Sequence, residues 1–210
     1  MLLIHGRAGG FIPGEVASLK AELIQRRGGI VLLHALTADR PPAFPAGPVP
    51  NHPLTLVPLF LLPGTHVRKD LPALMRCWMA DGPFSMVKRL PFLGAWPPWQ
   101  QAIAAEVRDL GSAPGDTPAG RVRLLHHPIE GAAPRRYLEL LEARTGGRCL
   151  AATGVGALPG DPSQPLLPLA LASNRLTEQL AEQGSALRAE PLLKRPRCRQ
   201  ALLESLVGVP

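Results

Sequence analysis

The sequence predicts an α/β protein made of two parallel-sheet halves related by an internal duplication. Three observations predict it. Short apolar runs alternate with helix-compatible segments, the pattern of βα units around a parallel sheet. The stretch LTLVPLFLLPGTHVRKDLPAL, Leu54 to Leu74, opens with an apolar run continuous enough for a strand buried on both faces. After residue 120 the order of elements starts again.

Taken in order, Met1 to Ile4 is a short apolar strand that delivers the glycine-rich turn His5-Gly6-Arg7-Ala8-Gly9-Gly10. Pro13 precedes an amphipathic helix from Glu15 to Arg27, which Gly28-Gly29 stops. Ile30 to Leu36 is a second strand ending near Thr37-Ala38-Asp39. Arg40 to Pro53 is too rich in proline for a helix or a central strand and reads as a rim or lid. The apolar run then ends at Pro63-Gly64-Thr65-His66 and turns into a helix from Val67 to Met79. Phe84 to Arg89 is the fourth strand, Leu90 to Pro98 a loop, and Trp99 to Leu110 its helix. In a doubly wound strand order 2-1-3-4, strands one and three are neighbours and ligands bind outside their carboxyl ends. His5 follows strand one and His66 strand three, so that topology turns both imidazoles toward one crevice.

Gly111 to Gly120, GSAPGDTPAG, is a linker by composition. The chain therefore divides into residues 1–110, a linker 111–120 and residues 121–210. RLLHHPIEGAAPRRYLELLEARTGGRCLAATGV repeats the order of LLIHGRAGGFIPGEVASLKAELIQRRGGIVLLHAL: strand, Gly/Pro turn, helix, Gly-Gly stop, strand. PLLPLALASNRLTEQL echoes LVPLFLLPGTHVRKDLPAL, and ALRAEPLLKRPRCRQALLESL echoes MVKRLPFLGAWPPWQQAIAAEV. The second copy has His126 and His127 near the place of His5, Asn174 about where the first has His66, and no Pro-Gly turn. A single site in the first half is expected.

Composition bounds the partners. Of 210 residues 46% are apolar, ample for a core, and only 4% are aromatic, so Leu, Ala and Val must build it. The net charge of +7 suits a polyanionic partner, although scattered arginines from compositional bias would give the same total. No stretch interleaves basic and aromatic residues as a base-stacking platform does, so nucleic acid is not expected. Cys77, Cys149 and Cys198 show no CxxC pairing and are odd in number, which speaks against disulfides and structural zinc and for reduced packing residues in the cytoplasm. With no signal-type leader and no bilayer-length apolar run, a membrane is not expected either.

Two neutral imidazoles can hold a divalent transition metal, and either can accept a proton near neutral pH. Ordinary loop histidines would fit the same spacing. The turn HGRAGG lacks both the GxGxxG spacing and the GK[ST] ending of phosphate loops. Arg7, Arg40, Arg68, Lys69, Lys88 and Arg89 lie at or near carboxyl ends of strands, as a basic rim for carboxylates or as solvated charges. Phe92, Trp96 and Trp99 either wall a flat ligand or close the core. Asp70 and Glu15 fall in first turns of helices, where the helix dipole explains them. No GxSxG nucleophile motif is present.

VPLFLLPGTHVRKDLP resembles the core motif of the ATP-independent (class II) tetrapyrrole chelatases, in the sirohydrochlorin cobaltochelatase or ferrochelatase branch, and LLIHGRAGG resembles its first strand and histidine-glycine turn. The duplicated plan resembles that family's long form. The resemblance implies two flavodoxin-like halves with a tetrapyrrole-sized cleft, and insertion of Co2+, Fe2+ or Ni2+ into sirohydrochlorin or a similar tetrapyrrole by a metal chelatase, a lyase. It carries the metal-handling and catalytic roles onto His5 and His66. Arg7, Gly64, Thr65, Arg68 and Arg89 become the substrate-binding candidates. The metal is substrate, no permanent cofactor is implied, and a fused duplication favours a monomer. The chain departs from the family at Arg7, where a small hydroxyl residue is usual, and after strand two, where a carboxylate is usual and Thr37 and Asp39 stand; Asp39, and after it His34, are the candidates for that role. A non-catalytic tetrapyrrole- or metal-binding protein, and a basic module for an anionic partner, are the alternatives.

Overall fold

The computed structural model describes residues 1–38, 52–81, 84–112, 122–152, 164–182 and 190–209. Two compact units are formed, Met1–Trp96 with Leu206–Pro210, and Pro97–Ser205. In the first, β1 (Leu2–Ile4), α1 (Gly14–Arg27), β2 (Leu33–Ala35), β3 (His52–Pro58), α2 (Leu71–Asp81) and β4 (Phe84–Arg89) follow one another. The strands are parallel in the order β2-β1-β3-β4, the doubly wound order expected from the sequence. β1 is sandwiched between β2 and β3, so all three of its residues are buried. Leu3 and Leu56, each fully excluded from solvent, pack with Leu54, Phe60, Leu71, Trp78 and Val87 into one core. α1 turns Val16, Leu19 and Leu23 inward, the i, i+3, i+7 stripe of an amphipathic helix.

The strand ends differ from expectation. β2 is shorter than Ile30 to Leu36, and Ile30 is 71% exposed. β3 takes in His52 and Pro53, which the sequence reading gave to the proline-rich excursion. The ladder with β4 shifts register between these two residues, an irregularity of the kind that admits proline into a strand. β3 also stops at Pro58, short of the end of the apolar run. Val57 and Leu59 donate their N–H groups to Met1 and Leu3 of the β1 side at 2.8 Å. Pro58, which has no N–H, faces the β4 side, where pairing has ended at Leu56 and Arg89, so no ladder bond is lost. The rest of the excursion lies outside the described residues.

The second unit contains α3 (Pro97–Gly111), β5 (Arg123–His126), α4 (Ala132–Thr145), β6 (Arg148–Ala151), β7 (Leu166–Pro168), α5 (Arg175–Glu182) and all but the last two residues of α6 (Pro196–Val207). Its parallel sheet runs β6-β5-β7, the order of the first three strands of the other unit. The counterpart of β4 would fall on residues 183–189, and the linker from residue 113 onward likewise lies outside the described residues. α3, which the sequence division kept with the strands before it, packs against α4 and groups with the second unit. Its Trp99 is buried, and Phe92 packs on the first core, so both close cores. Cys198 is buried and Cys149 half-buried, and burial pushes both thiols up to about 12. Cys77 is exposed on α2 and does not pack as expected. Among the described residues no helix is long and apolar enough to cross a membrane.

His34 lies buried in β2 with its ring 5.9 Å from that of Trp78. Burial disfavours the imidazolium and lowers its pKa. As pH falls through the ordinary histidine value near 6.5, the unfolded chain takes up a proton at this position that the native state refuses. Stability is therefore expected to fall on acidification in that range, and His34→Gln to flatten the fall, as read from urea midpoints at pH 7.5 and pH 5.5. Equal slopes for both proteins would refute it.

Candidate functional site

His5 is placed by the end of β1. The chain leaves Ile4 into Gly6, whose φ is +78°, and a Cβ there would lie 2.5 Å from the Ala35 Cβ and 2.7 Å from the Thr37 Oγ1. Only glycine permits both the left-handed backbone and this approach. The glycine-rich turn is thus pressed against the end of β2 and the residues after it, which gives Gly6 and Gly10 a packing role against Ala35, Thr37 and Ala38. Thr37 closes the contact: its single hydroxyl proton is aimed at the Arg7 carbonyl at 2.6 Å with the His5 carbonyl 3.1 Å away, and its N–H donates to His5. Thr37→Val keeps the shape and removes the hydroxyl, so a loss of about 0.5–1.5 kcal/mol is expected from chemical denaturation, because one hydrogen bond goes while the His5 and Arg7 carbonyls keep the N–H donors of Thr37 and Gly10.

His66 is placed by the start of α2. After Pro63-Gly64 the chain enters one turn of π-helix, His66–Asp70, in which the Leu71 N–H reaches back to the His66 carbonyl. The His66 ring lies nearly parallel to Phe60, centroids 6.2 Å apart, and its Nδ1 is 2.6 Å from the Asp70 Oδ2. The His5 ring meets it edge to face at a centroid distance of 4.4 Å and an interplanar angle of 75°. The His5 Nδ1 lies 2.7 Å from the Gly6 carbonyl oxygen. Two imidazoles sixty-one positions apart thus touch at the carboxyl edge of β1 and β3.

The remaining candidates are less convergent. Arg7 is half-buried in the His5 turn and receives the Gly10 N–H on its carbonyl. Gly64 accepts the Arg68 N–H; a Cβ on it would meet nothing within 4 Å, so the fold itself does not require glycine there. Thr65 and Arg68 are exposed in the turn around His66, and Arg89 is exposed at the end of β4. Asp39 and Arg40 lie outside the described residues. His34, the lesser carboxylate substitute, is set back inside the core against Trp78 because its register partner Leu3 lies one residue short of the strand end. A cavity of about 420 Å³ opens at the opposite edge of the sheet, lined by Met1, Leu2, Arg27, Thr55 and Lys88, so Lys88 does not belong to a rim at the histidines. Among the described residues no group of three His, Cys, Asp or Glu side chains is arranged to hold a metal.

The second unit puts other chemistry at the matching places. His126 is buried at the end of β5, with its Nδ1 2.8 Å from the carbonyl of the exposed His127. Asn174, in the place of His66, caps α5: its Oδ1 accepts the Thr177 N–H at 3.1 Å while the Thr177 Oγ1 accepts the Asn174 N–H at 2.9 Å. This reciprocal cap satisfies donors that a helix start leaves open.

The sequence reading missed two residues at the histidine pair, Thr37 as the clamp on the His5 turn and Asp70 as the partner of His66. Asp70 had a signal in the His-x-x-x-Asp spacing, which places both side chains on one helix face.

No protein-family model matches the sequence, and no curated protein matches it either. Solved structures do match. SirB from Bacillus subtilis with Fe3+ superposes with a TM-score of 0.65 at 14% identity, over 99% of this chain and 94% of that one. The fold is that of the sirohydrochlorin chelatases. CbiX, the terminal enzyme for biosynthesis of siroheme in denitrifying bacteria, superposes at 0.62 with 20% identity over 100% of this chain and 98% of that one. The sirohydrochlorin chelatase SirB from Bacillus subtilis subspecies spizizenii in complex with cobalt gives 0.58 at 13% identity, over 98% and 93%. The chelatase fold thus accounts for the two parallel-sheet units and for nearly the whole length of the chain.

Proposed function

We propose that the protein inserts a divalent metal, Co2+ or Fe2+ and by the same donor chemistry Ni2+, into sirohydrochlorin or a closely similar tetrapyrrole without ATP, as a chelatase of the lyase type. The observation that carries the reading is the contact of His5 and His66, ring centroids 4.4 Å apart, at the carboxyl edge of a chelatase-fold sheet. Imidazole nitrogens suit metals of the iron-to-zinc series, and the ion is here a substrate in transit. Two ligands hold it loosely enough for a pyrrole nitrogen to displace them. The pyrrole protons released on insertion need an acceptor, and an imidazole can serve near neutral pH.

The macrocycle's acidic side chains would meet Arg7, Arg68 and Arg89, with Gly64 and Thr65 leaving room for a flat ligand beside His66. A net charge of +7 favours such a polyanionic substrate. A duplicated origin, with residues 1–110 carrying the site and 121–210 a degenerate repeat, is supported by the shared strand order and by the 3₁₀ turn followed by a proline-led helix in each part, Leu93–Ala95 before α3 and Leu192–Lys194 before α6. The test is direct: purified protein with Co2+ and sirohydrochlorin is expected to change the tetrapyrrole absorption faster than the same mixture without protein. Equal rates would overturn the enzyme reading. A non-catalytic carrier is the second reading, favoured because among the described residues no three His, Cys, Asp or Glu side chains are arranged to hold a metal; it predicts stoichiometric binding spectra with no insertion.

A further inference from the structure

We propose that Asp70 is a positioning residue of the site, fixing the tautomer and orientation of His66 so that its Nε2 lone pair is left for the metal. The proposal deepens the chelatase reading and rests on His66 being a working imidazole. A carboxylate oxygen offers only acceptors, so the 2.6 Å contact between His66 Nδ1 and Asp70 Oδ2 places the proton on Nδ1. A neutral imidazole protonated at Nδ1 has its lone pair at Nε2. The same reasoning applies to His5, whose Nδ1 can only donate to the Gly6 carbonyl 2.7 Å away. Both rings of the touching pair therefore offer Nε2, and neither has to exchange tautomers before it can bind an ion.

The two rings are held differently. His5 leans on the carbonyl of its own neighbour, whereas His66 donates to a carboxylate, a stronger charge-assisted bond. The π-turn matters to this geometry, because both partners lie within His66–Asp70 and the turn is closed by Leu71. Phe60 lies along the face of the His66 ring and Asp70 holds one edge, so plane and rotation are both fixed. The Asp70 side chain is 46% exposed, so its contribution to overall stability is small and its effect falls on His66. Partners of metal-binding histidines typically contribute 10–100-fold to affinity or activity.

The experiment compares wild type, Asp70→Ala and Asp70→Asn as metal-free proteins by 15N NMR of the imidazole rings, then by Co2+ titration and by insertion kinetics. The wild type is expected to show His66 as the Nδ1–H tautomer, and Asp70→Ala to shift it toward Nε2–H. Asp70→Ala should also lower kcat and Co2+ affinity by about 10–100-fold with the KM for the tetrapyrrole little changed. Asp70→Asn, which is isosteric and keeps an acceptor oxygen, should fall between the two and keeps the comparison available if the alanine variant folds poorly. An unchanged His66 tautomer in both variants, or unchanged kcat and Co2+ affinity in both, overturns the role of Asp70. A wild type with no insertion activity, yet with the expected tautomer shift and weakened Co2+ binding in the variants, overturns the chelatase reading and leaves Asp70 in place.

Discussion

Replacing either His5 or His66 by alanine is expected to bring metal insertion down to the rate without protein, and replacing both to cost no more than replacing one. The reasoning is geometric. Rings whose centroids are 4.4 Å apart can direct two nitrogens at one ion, so removing one leaves a single weak donor. Loss of a proton acceptor alone costs about 10²–10⁴-fold in rate. Groups that act as a unit are strongly non-additive on double substitution. Neither side chain is buried, His5 being exposed and His66 partly so, and surface substitutions of this kind usually change stability by no more than about 0.5 kcal/mol. Insertion kinetics with Co2+ and sirohydrochlorin, read beside urea midpoints, separate loss of chemistry from loss of fold. If either single variant keeps insertion well above the rate without protein, the histidines do not work as one unit and the shared ion is wrong.

Gly6→Ala is expected to be among the most destabilising single-methyl changes in the chain. The added Cβ must be accommodated at φ +78°, which costs a non-glycine residue about 1–3 kcal/mol. It would also sit 2.5 Å from the Ala35 Cβ on a buried strand end, and relieving such an overlap costs typically about 1–3 kcal/mol more. A loss of about 2–6 kcal/mol by urea unfolding is expected on these terms, with His5 displaced in any protein that still folds. Gly64→Ala is the matched control, since its Cβ meets nothing within 4 Å. Equal stability of the two variants would show that the His5 turn yields without cost.

Much of this was legible in the sequence. The apolar run from Leu54 announced a strand buried on both faces, and the alternation of elements with the doubly wound rule led to β2-β1-β3-β4 and so to the meeting of His5 and His66. What stayed hidden depends on approach distances that no spacing encodes. Thr37 acts on His5 only because Gly6 lets two loops come within contact, and its hydroxyl has no sequence mark distinguishing it from any loop threonine. Asp70 did have a mark, but a first-turn acid is explained equally well by the helix dipole, and that local explanation concealed the side chain four residues back. The grouping of α3 with the second unit reflects packing against α4, across a linker that composition alone treats as a boundary.

The π-turn at His66–Asp70 makes chain length itself part of the site. Removing any one of Val67, Arg68 or Lys69 would let the turn relax into ordinary α-helix, a conformation with better hydrogen-bond geometry. It would also rotate His66 by about 100° relative to the buried face of α2, the angle of one residue in a helix, carrying the ring away from Phe60 and His5. A one-residue deletion that improves the helix thus disconnects the histidines, so selection for the function has to preserve spacing against the helix's own preference.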